Sequence, residues 1–319
     1  MIICKTPHRI SFVGGGSDFK EFFQSEDGKV ISATIDKYMY VSMKKSYKDI
    51  HIKYSQYEHV SKVNQIKHPI IKEVLTFYKL NNVDISSFSD IPGGTGLGSS
   101  SAFTISLINA ANNIINNKSL SKKELARLAC HIEIEKVKSN IGYQDQYSCC
   151  FGGLNEIKFT NKATITKPLY INKDALNRFN SNLILIDTGL QRSASEILTS
   201  QKQNMYKNIK KIQNMVKLCD NFKNELKNEN YKSCGEIINE SWRIKKTFSE
   251  NITNKKIDYL INYLIKNGAY GCKLLGAGMG GFIMCLANSS TRKKIQENIK
   301  NIKIIKFKFE NKGAQLFRI

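Results

Sequence analysis

Residues 93–101 read Gly-Gly-Thr-Gly-Leu-Gly-Ser-Ser-Ser and follow Pro92 directly. Glycines let backbone N–H groups come close to an anion. A helix beginning at Ser99 would add unpaired N–H donors and the positive end of its dipole. Together Gly93, Gly94, Gly96, Leu97, Gly98, Ser99, Ser100 and Ser101 make a phosphate cradle, and the serine hydroxyls can also ligate Mg2+. No GK[ST] triplet follows, so this is not a Walker A loop. The plain alternative is a tight turn capped by serine, but four glycines in six residues followed by three serines exceed what a turn needs.

Two further glycine clusters flank this loop in sequence. Residues 276–281, Gly-Ala-Gly-Met-Gly-Gly, contain a GxGxxG match. The next expected element is the strand FIMCL and no βαβ unit follows, which argues against a dinucleotide fold. Gly278, Met279 and Gly280 read better as a turn passing close to a ligand or to another backbone. Near the start, Arg9 precedes Gly14-Gly15-Gly16-Ser17-Asp18, a cation and a carboxylate around a glycine turn. An Asp at a helix start is ordinarily an N-cap. Three glycines in a row also suggest that something approaches this turn closely. Two more carboxylates stand out, Glu133 and the Asp145 of Gly-Tyr-Gln-Asp-Gln. Beside a phosphate loop, one carboxylate could ligate a metal and another could orient or deprotonate a hydroxyl.

These loops need elements to hold them. Residues 2–12 predict a strand, 29–45 and 50–55 further strands, 69–80 a helix, and VDISSFSDI another strand. A long helix should start at Ser99. A second should span about 121–137, where Ser121 and Glu124 form a capping-box pair. After the short apolar strand NLILID, the apolar spacing from Leu198 to Cys219 predicts one long helix over 193–228. Helices at 231–248 and 254–267, the strands GCKLL and FIMCL, a helix near 290–300 and two final strands complete the chain. The tail reads β-loop-β-α-β, an α+β layer. The texture changes near residue 180, which suggests domains at 1–180 and 181–319.

The composition narrows the function. The 319 residues suit one large or two medium domains. The formal charge is +22, yet only 7 of the 49 basic residues are arginines and the lysines are spread along the chain. A nucleic-acid binder would cluster its basic residues among aromatics. This pattern reads as a lysine-rich solvated surface that also attracts anionic ligands. The eight cysteines form no CxxC pair and read as reduced, buried thiols. No run approaches the length of a membrane span, and the polar start reads as a first strand rather than a signal peptide. A cytoplasmic enzyme is the expectation.

Taken together, PGGTGLGSSSA, the order of the three glycine segments and a GAGxGG near the C-terminus resemble the GHMP kinases, over nearly the whole chain. Within that group, TPHRISFVGGGSD, ISATIDKY, GYQDQY, FGGLN and TGLQRSASEIL resemble the branch acting on D-glycero-D-manno-heptose 7-phosphate. The GEHxDY-type first motif of galactokinases is absent, and mevalonate kinases usually carry Lys at the position of Arg9. The chain departs from the branch at Ser17, usually Thr, and at His8, often Leu. The resemblance implies a two-domain α+β fold, with an N-terminal part like ribosomal protein S5 domain 2 and a ferredoxin-like C-terminal part. It implies ATP phosphates on residues 93–101, Mg2+ on Ser100 and Glu133, and Asp145 as catalytic aspartate with Arg9 as the cation beside it. It implies sugar contacts from Gly15, Gly16, Ser17 and Asp18, and a loop over residues 276–281 that closes near the phosphates.

The expected reaction is in-line transfer of the ATP γ-phosphoryl group to an anomeric hydroxyl, giving a heptose 1,7-bisphosphate for surface-glycan precursors. A substrate already carrying a phosphate needs cations away from the ATP loop, and Arg192, Lys245 and Lys246 are candidates. The expected partner is a small sugar phosphate, with no nucleic acid and no membrane; a second copy of the chain is kept as a candidate partner. The rivals are a related kinase for fucose or galactose, a nicotinamide oxidoreductase using GxGxxG, and an S5-like basic nucleic-acid-binding module.

Overall fold

The computed structural model describes residues 1–190, 195–298 and 303–319. In chain order the strands are β1 (Ile2–Val13), β2 (Gly28–Lys45), β3 (Ile50–Lys53), β4 (Tyr57–Val60), β5 (Val83–Ser89), β6 (Leu154–Phe159) and β7 (Thr164–Pro168), then β8 (Leu183–Asp187), β9 (Gly271–Leu274), β10 (Phe282–Leu286), β11 (Ile304–Ile305) and β12 (Gln315–Arg318). They form two sheets. The first has the order β12-β1-β2-β5-β3-β4, with β6 and β7 branching from β2. The 18-residue β2 makes this branch possible: Gly28–Ala33 pairs with β6, and Met39–Lys45 pairs with β5. Among its pairings in the described residues only β3 with β5 is parallel.

One face of this sheet packs on the helices Pro69–Tyr78, Ser99–Asn116, Lys122–Cys130 and Gln144–Phe151, around Ile71, Ile105, Leu107, Leu125 and Cys150. The helix Ser99–Asn116 runs through this core, and every side chain from Ser101 to Asn113 is buried. Its sequence carries no charged residue on any side, as suits a helix enclosed by sheet and helices, and its buried asparagines are Asn109, Asn112 and Asn113.

The second sheet has the order β11-β8-β10-β9, antiparallel throughout. In order of appearance that is 4-1-3-2 with helical crossovers, the arrangement of a ferredoxin-like layer. The helices Met205–Lys227, Tyr231–Lys246 and Lys255–Lys266 cover it, burying Met215, Trp242, Leu264 and their neighbours. The whole is an α+β fold.

Several elements differ from the sequence reading. The long helix over 193–228 is two helices, Ser195–Gln203 and Met205–Lys227. The break is at Asn204, whose backbone leaves helical geometry (φ −89°, ψ 9°) and whose side chain donates to the Ser200 carbonyl at 3.0 Å. Such local side-chain bonds compete with the helix ladder. The helix expected over 121–137 begins with the capping box at Ser121 and Glu124, but its α geometry ends at Cys130 and residues His131–Lys136 form a π-helix. Its signature bond runs from the Val137 N–H to the Ile132 carbonyl at 2.9 Å. Gln144–Phe151, β6, β7 and the helix Lys173–Ser181, which Asn172 caps, add to the elements expected from the sequence. Of the two last strands, β11 closes the second sheet while β12 returns to pair with β1.

Candidate active site

A cleft opens where the first sheet, the helix Ser99–Asn116 and the second sheet meet. Its walls include Arg9, Asp145, Gly94, Ser100, Asp18 and Lys273. The chain reaches it by three glycine-dependent approaches. Gly98 takes the left-handed conformation (φ +76°) as N-cap of Ser99–Asn116, and no side chain caps the helix. The serines therefore do not close a turn, and Ser99, Ser100 and Ser101 all line the cleft. The first-turn N–H groups are left for an outside anion.

The second and third glycine segments touch each other. A Cβ on Gly276 (φ +75°) would lie 2.4 Å from the Gly96 Cα, and one on Gly281 would lie 2.3 Å from the Thr95 carbonyl oxygen. The segment Gly276–Gly281 joins β9 to β10, which pair antiparallel. A strand-to-strand connection of this kind is no dinucleotide fingerprint, which removes the oxidoreductase reading. Gly276 and Ala277 line the cleft, whereas Gly278 packs against Ile252 and Gly280 against Leu190. Met279 (φ +59°) packs among apolar side chains beneath. Gly278, Met279 and Gly280, read as substrate contacts, thus shape the turn from behind it.

The third approach brings Asp18 to Asp145. Gly142 has no side chain because the Asp18 carboxylate occupies that space, 2.0 Å from where a Cβ would stand. Asp18 accepts from the Gly16 N–H at 3.1 Å and from the Gln144 N–H at 3.3 Å. It caps no helix of its own: the helix Lys20–Phe23 has Phe19 as N-cap, with no side-chain bond. Withdrawal from solvent raises the Asp18 carboxyl above its usual value, and the charge of Asp145 adds to that. Gly15 and Gly16 line the cleft with it. Ser17 does not. Its buried hydroxyl donates to the carbonyls of Gly14 (2.8 Å) and Lys29 (3.0 Å), so it fastens the turn to β2.

At the centre Arg9 and Asp145 form a two-pronged ion pair. Nε donates to Oδ1 at 2.7 Å and Nη2 to Oδ2 at 2.6 Å, while Nη1 donates to the Gly96 carbonyl at 2.6 Å. One side chain thus ties the Asp145 carboxylate to the glycine-serine loop. Such paired geometry is the strong form of a charge-assisted bond. Arg9 is 5 % exposed and Asp145 26 %, so the carboxylate is the member facing the cleft.

Beside them, Ser100 Oγ donates to Glu133 Oε1 at 2.8 Å and Gln146 Nε2 donates to Glu133 Oε2 at 2.7 Å. Glu133 is fully buried, and burial raises its carboxyl above the usual range against the pull of those bonds. The π-helix accounts for its position, since an inserted residue re-aims the side chains of a turn, and such insertions are frequent at functional sites. A buried carboxylate with no cation partner among the described residues, touching a hydroxyl at the mouth of the glycine-serine loop, is a donor set that would suit Mg2+.

The remaining sequence candidates divide. Gly94, Gly96 and Gly98 line the cleft, Gly93 stands at an open part of the loop, and Leu97 is buried in the core while its carbonyl accepts from the Arg9 N–H at 3.0 Å. Lys245 lines the cleft and donates to the Gly276 carbonyl; Lys246 instead pairs with Asp258 at 3.2 Å. Arg192 lies outside the described residues. Lys273 was not singled out from the sequence. It lines the cleft from β9, and the signal that could have found it is a lysine inside the otherwise apolar strand GCKLL. Gln144, Gln146 and Ser11 were also missed. Ser11 donates to Gln144 at 2.8 Å, buttressing the residue before Asp145.

Two family models match the chain: GHMP kinases N terminal domain over residues 64–153 and GHMP kinases C terminal over residues 222–304, between them more than half its length. The D-glycero-alpha-D-manno-heptose 7-phosphate kinase of Campylobacter jejuni is 28% identical, with 99% of this chain and 98% of that protein covered. A galactokinase of Thermotoga neapolitana is 24% identical over 96% of this chain and 95% of its own. Among solved structures, a D-glycero-D-manno-heptose 1-phosphate kinase from Bacteriodes thetaiotaomicron superposes with a TM-score of 0.78 at 24% identity, covering 100% of this chain and 99% of that one. Among the described residues no helix is long and apolar enough to cross a membrane.

Proposed function

The chain belongs to the GHMP kinases, and from that premise we propose that it transfers the γ-phosphoryl group of ATP to the anomeric hydroxyl of a sugar phosphate, D-glycero-D-manno-heptose 7-phosphate. The observation carrying this reading is the Arg9–Asp145 pair, fixed by the third guanidinium contact to the carbonyl of Gly96 in the phosphate loop. It couples the acceptor side of the cleft to the donor side. The kinase of Campylobacter jejuni, similar along its full length, supports the choice of sugar.

ATP phosphates lie against the N–H groups from Gly94 to Ser101. Asp145 receives the acceptor hydroxyl, orients it in line with the γ-phosphorus and takes its proton as the new O–P bond forms and the bond from the γ-phosphorus to the leaving ADP breaks. Loose phosphoryl transfer asks little of a base, so positioning is the larger part of this role. Arg9 keeps the carboxylate in place and sets a positive charge beside the transferred group. Asp18, with Gly15 and Gly16, lines the sugar side and can accept a sugar hydroxyl. Ser100 and Glu133 would hold Mg2+, which when bound neutralises charge on the phosphate oxygens.

A neutral-hexose kinase is the second reading, favoured by similarity to galactokinases along most of the chain. A panel of sugars and sugar phosphates incubated with MgATP, with products identified by mass and NMR, decides between them. Turnover of heptose 7-phosphate to a 1,7-bisphosphate supports the first reading. A preference for galactose or fucose replaces the substrate and leaves the kinase.

A further inference from the structure

Lys273 is the least expected charge in this molecule. It sits in the middle of β9, is 2 % exposed, and lines the cleft with Arg9, Asp145 and Lys245. An ammonium has three donors. The one hydrogen bond Lys273 makes among the described residues goes from Nζ to the carbonyl of Phe12 at 2.9 Å, and it has no carboxylate within ion-pair distance. The groups facing it deepen the difficulty: Lys245 from the helix Tyr231–Lys246 and Arg9 from β1 are cations, and Cys219 from the helix Met205–Lys227 is a buried thiol. Arg9 is already neutralised by Asp145. A lysine buried without a counter-charge lowers stability, and a methionine would fill the same space without that cost. A residue that costs stability at the wall of a reaction cleft is one the ligand completes.

We propose that Lys273 is a phosphate-binding residue of the reaction cleft, whose counter-ion is a phosphate group arriving with the ligand, and that this binding draws a proton onto its amine. The proposal rests on the kinase reading for the identity of the ligand, but the proton uptake does not depend on transfer taking place. In the free protein burial pushes the amine well below the ordinary lysine value, with Lys245 and then Arg9 adding to the effect. A phosphate dianion reverses that balance, because an opposite charge at contact distance favours the ammonium. The phosphate can come from either of two sources, the terminal phosphate of the nucleotide or the phosphate on the sugar.

Calorimetry distinguishes them. A non-hydrolysable MgATP analogue and heptose 7-phosphate are titrated separately into the protein, each in two buffers of different ionisation enthalpy, so that the buffer-dependent heat reports protons taken up. The ligand whose phosphate reaches Lys273 should bind wild type with up to one proton gained. The same ligand should bind Lys273→Met about 10- to 100-fold more weakly, the size of a lost charge-assisted contact, and without that uptake. Lys273→Arg, which keeps the charge permanently, should bind without uptake as well. Thermal melting of the ligand-free proteins guards against misfolding: Lys273→Met should melt at or above wild type, and a cooperative melt at lower temperature would count for a structural lysine and against the proposal. Equal affinity and equal proton uptake for wild type and Lys273→Met with both ligands would overturn it. If the wild type phosphorylates no sugar while the analogue still binds with a Lys273-dependent proton, the kinase reading fails and this one stands.

Discussion

The two walls of the cleft hold charge in opposite ways. On the wall built by β1 and the helices behind it, each functional charge has a partner from elsewhere in the chain: Arg9 with Asp145, and Glu133 with Ser100 and Gln146. On the wall built by β9, the Lys273 amine has one backbone carbonyl and no carboxylate among the described residues. The first wall has its ion pair closed before any ligand arrives and can act as a rigid template around it. The second is completed by what binds. Between them the contact of Gly96 with Gly276 presses two backbones together, so neither loop can shift without the other.

The strongest way to break the template wall is Asp145→Asn. It keeps the shape of the side chain and removes the charge, so ATP should still bind while kcat falls by roughly 10²–10⁴, the usual range for acid–base assistance. Turnover near that of wild type would remove Asp145 from the chemistry. The pair proposed to hold Mg2+ comes next. Glu133→Gln and Ser100→Ala should each raise the Mg2+ concentration needed for half-maximal rate, and their effects should be less than additive if both hold one ion. Because burial raises the Glu133 carboxyl, protons compete with Mg2+ for it, and the Mg2+ requirement of the wild type should grow as pH falls. Simple additivity, or a requirement flat with pH, would separate the two residues.

The seam between the walls can be tested with Gly276→Ala. The left-handed backbone alone costs about 1–2 kcal/mol for a residue with a Cβ, and the close approach to Gly96 adds to this. The melting temperature and kcat should fall together; loss of neither would mean that the loops are not coupled. The smallest effect concerns His8, fully buried next to Arg9 in sequence and bonded through Nε2 to Ser89 at 2.9 Å. Burial, then the charge of Arg9, lowers it from 6.5 to about 4. Between those values the unfolded chain binds the proton more readily than the folded one, so stability present above pH 6.5 is lost as pH falls toward 4. The slope is at most about 1.4 kcal/mol per pH unit. His8→Leu should flatten that part of the Tm-versus-pH curve, and an unchanged slope would assign it to other groups.

How far the sequence could be read follows from where the information lies. The phosphate loop, the capping box at Ser121 and the strands β9 and β10 are local: glycine freedom, a side-chain cap and an apolar run act within a few residues. The π-helix was not legible, because His131–Lys136 has the composition of an ordinary helix and only the bonds to Ser100 and Gln146 show what its extra residue achieves. Gln144–Phe151 was missed because a short helix buried on most sides lacks an amphipathic period. Ser17 looked like a ligand contact because its type and neighbours suited one, and only the fold shows its hydroxyl turned to the carbonyls of Gly14 and Lys29.

The sequence by itself therefore determined the family, the glycine-serine loop and the residue types a phosphoryl transfer would call on, since each of these is written in contiguous motifs. The tertiary structure alone decided that Arg9 grips Asp145 across 136 positions of chain, that Gly96 meets Gly276, and that Lys273 stands buried without an acid. Those facts depend on which backbones come within a few ångströms of one another, and burial, not sequence distance, sets the strength of the charges that meet there.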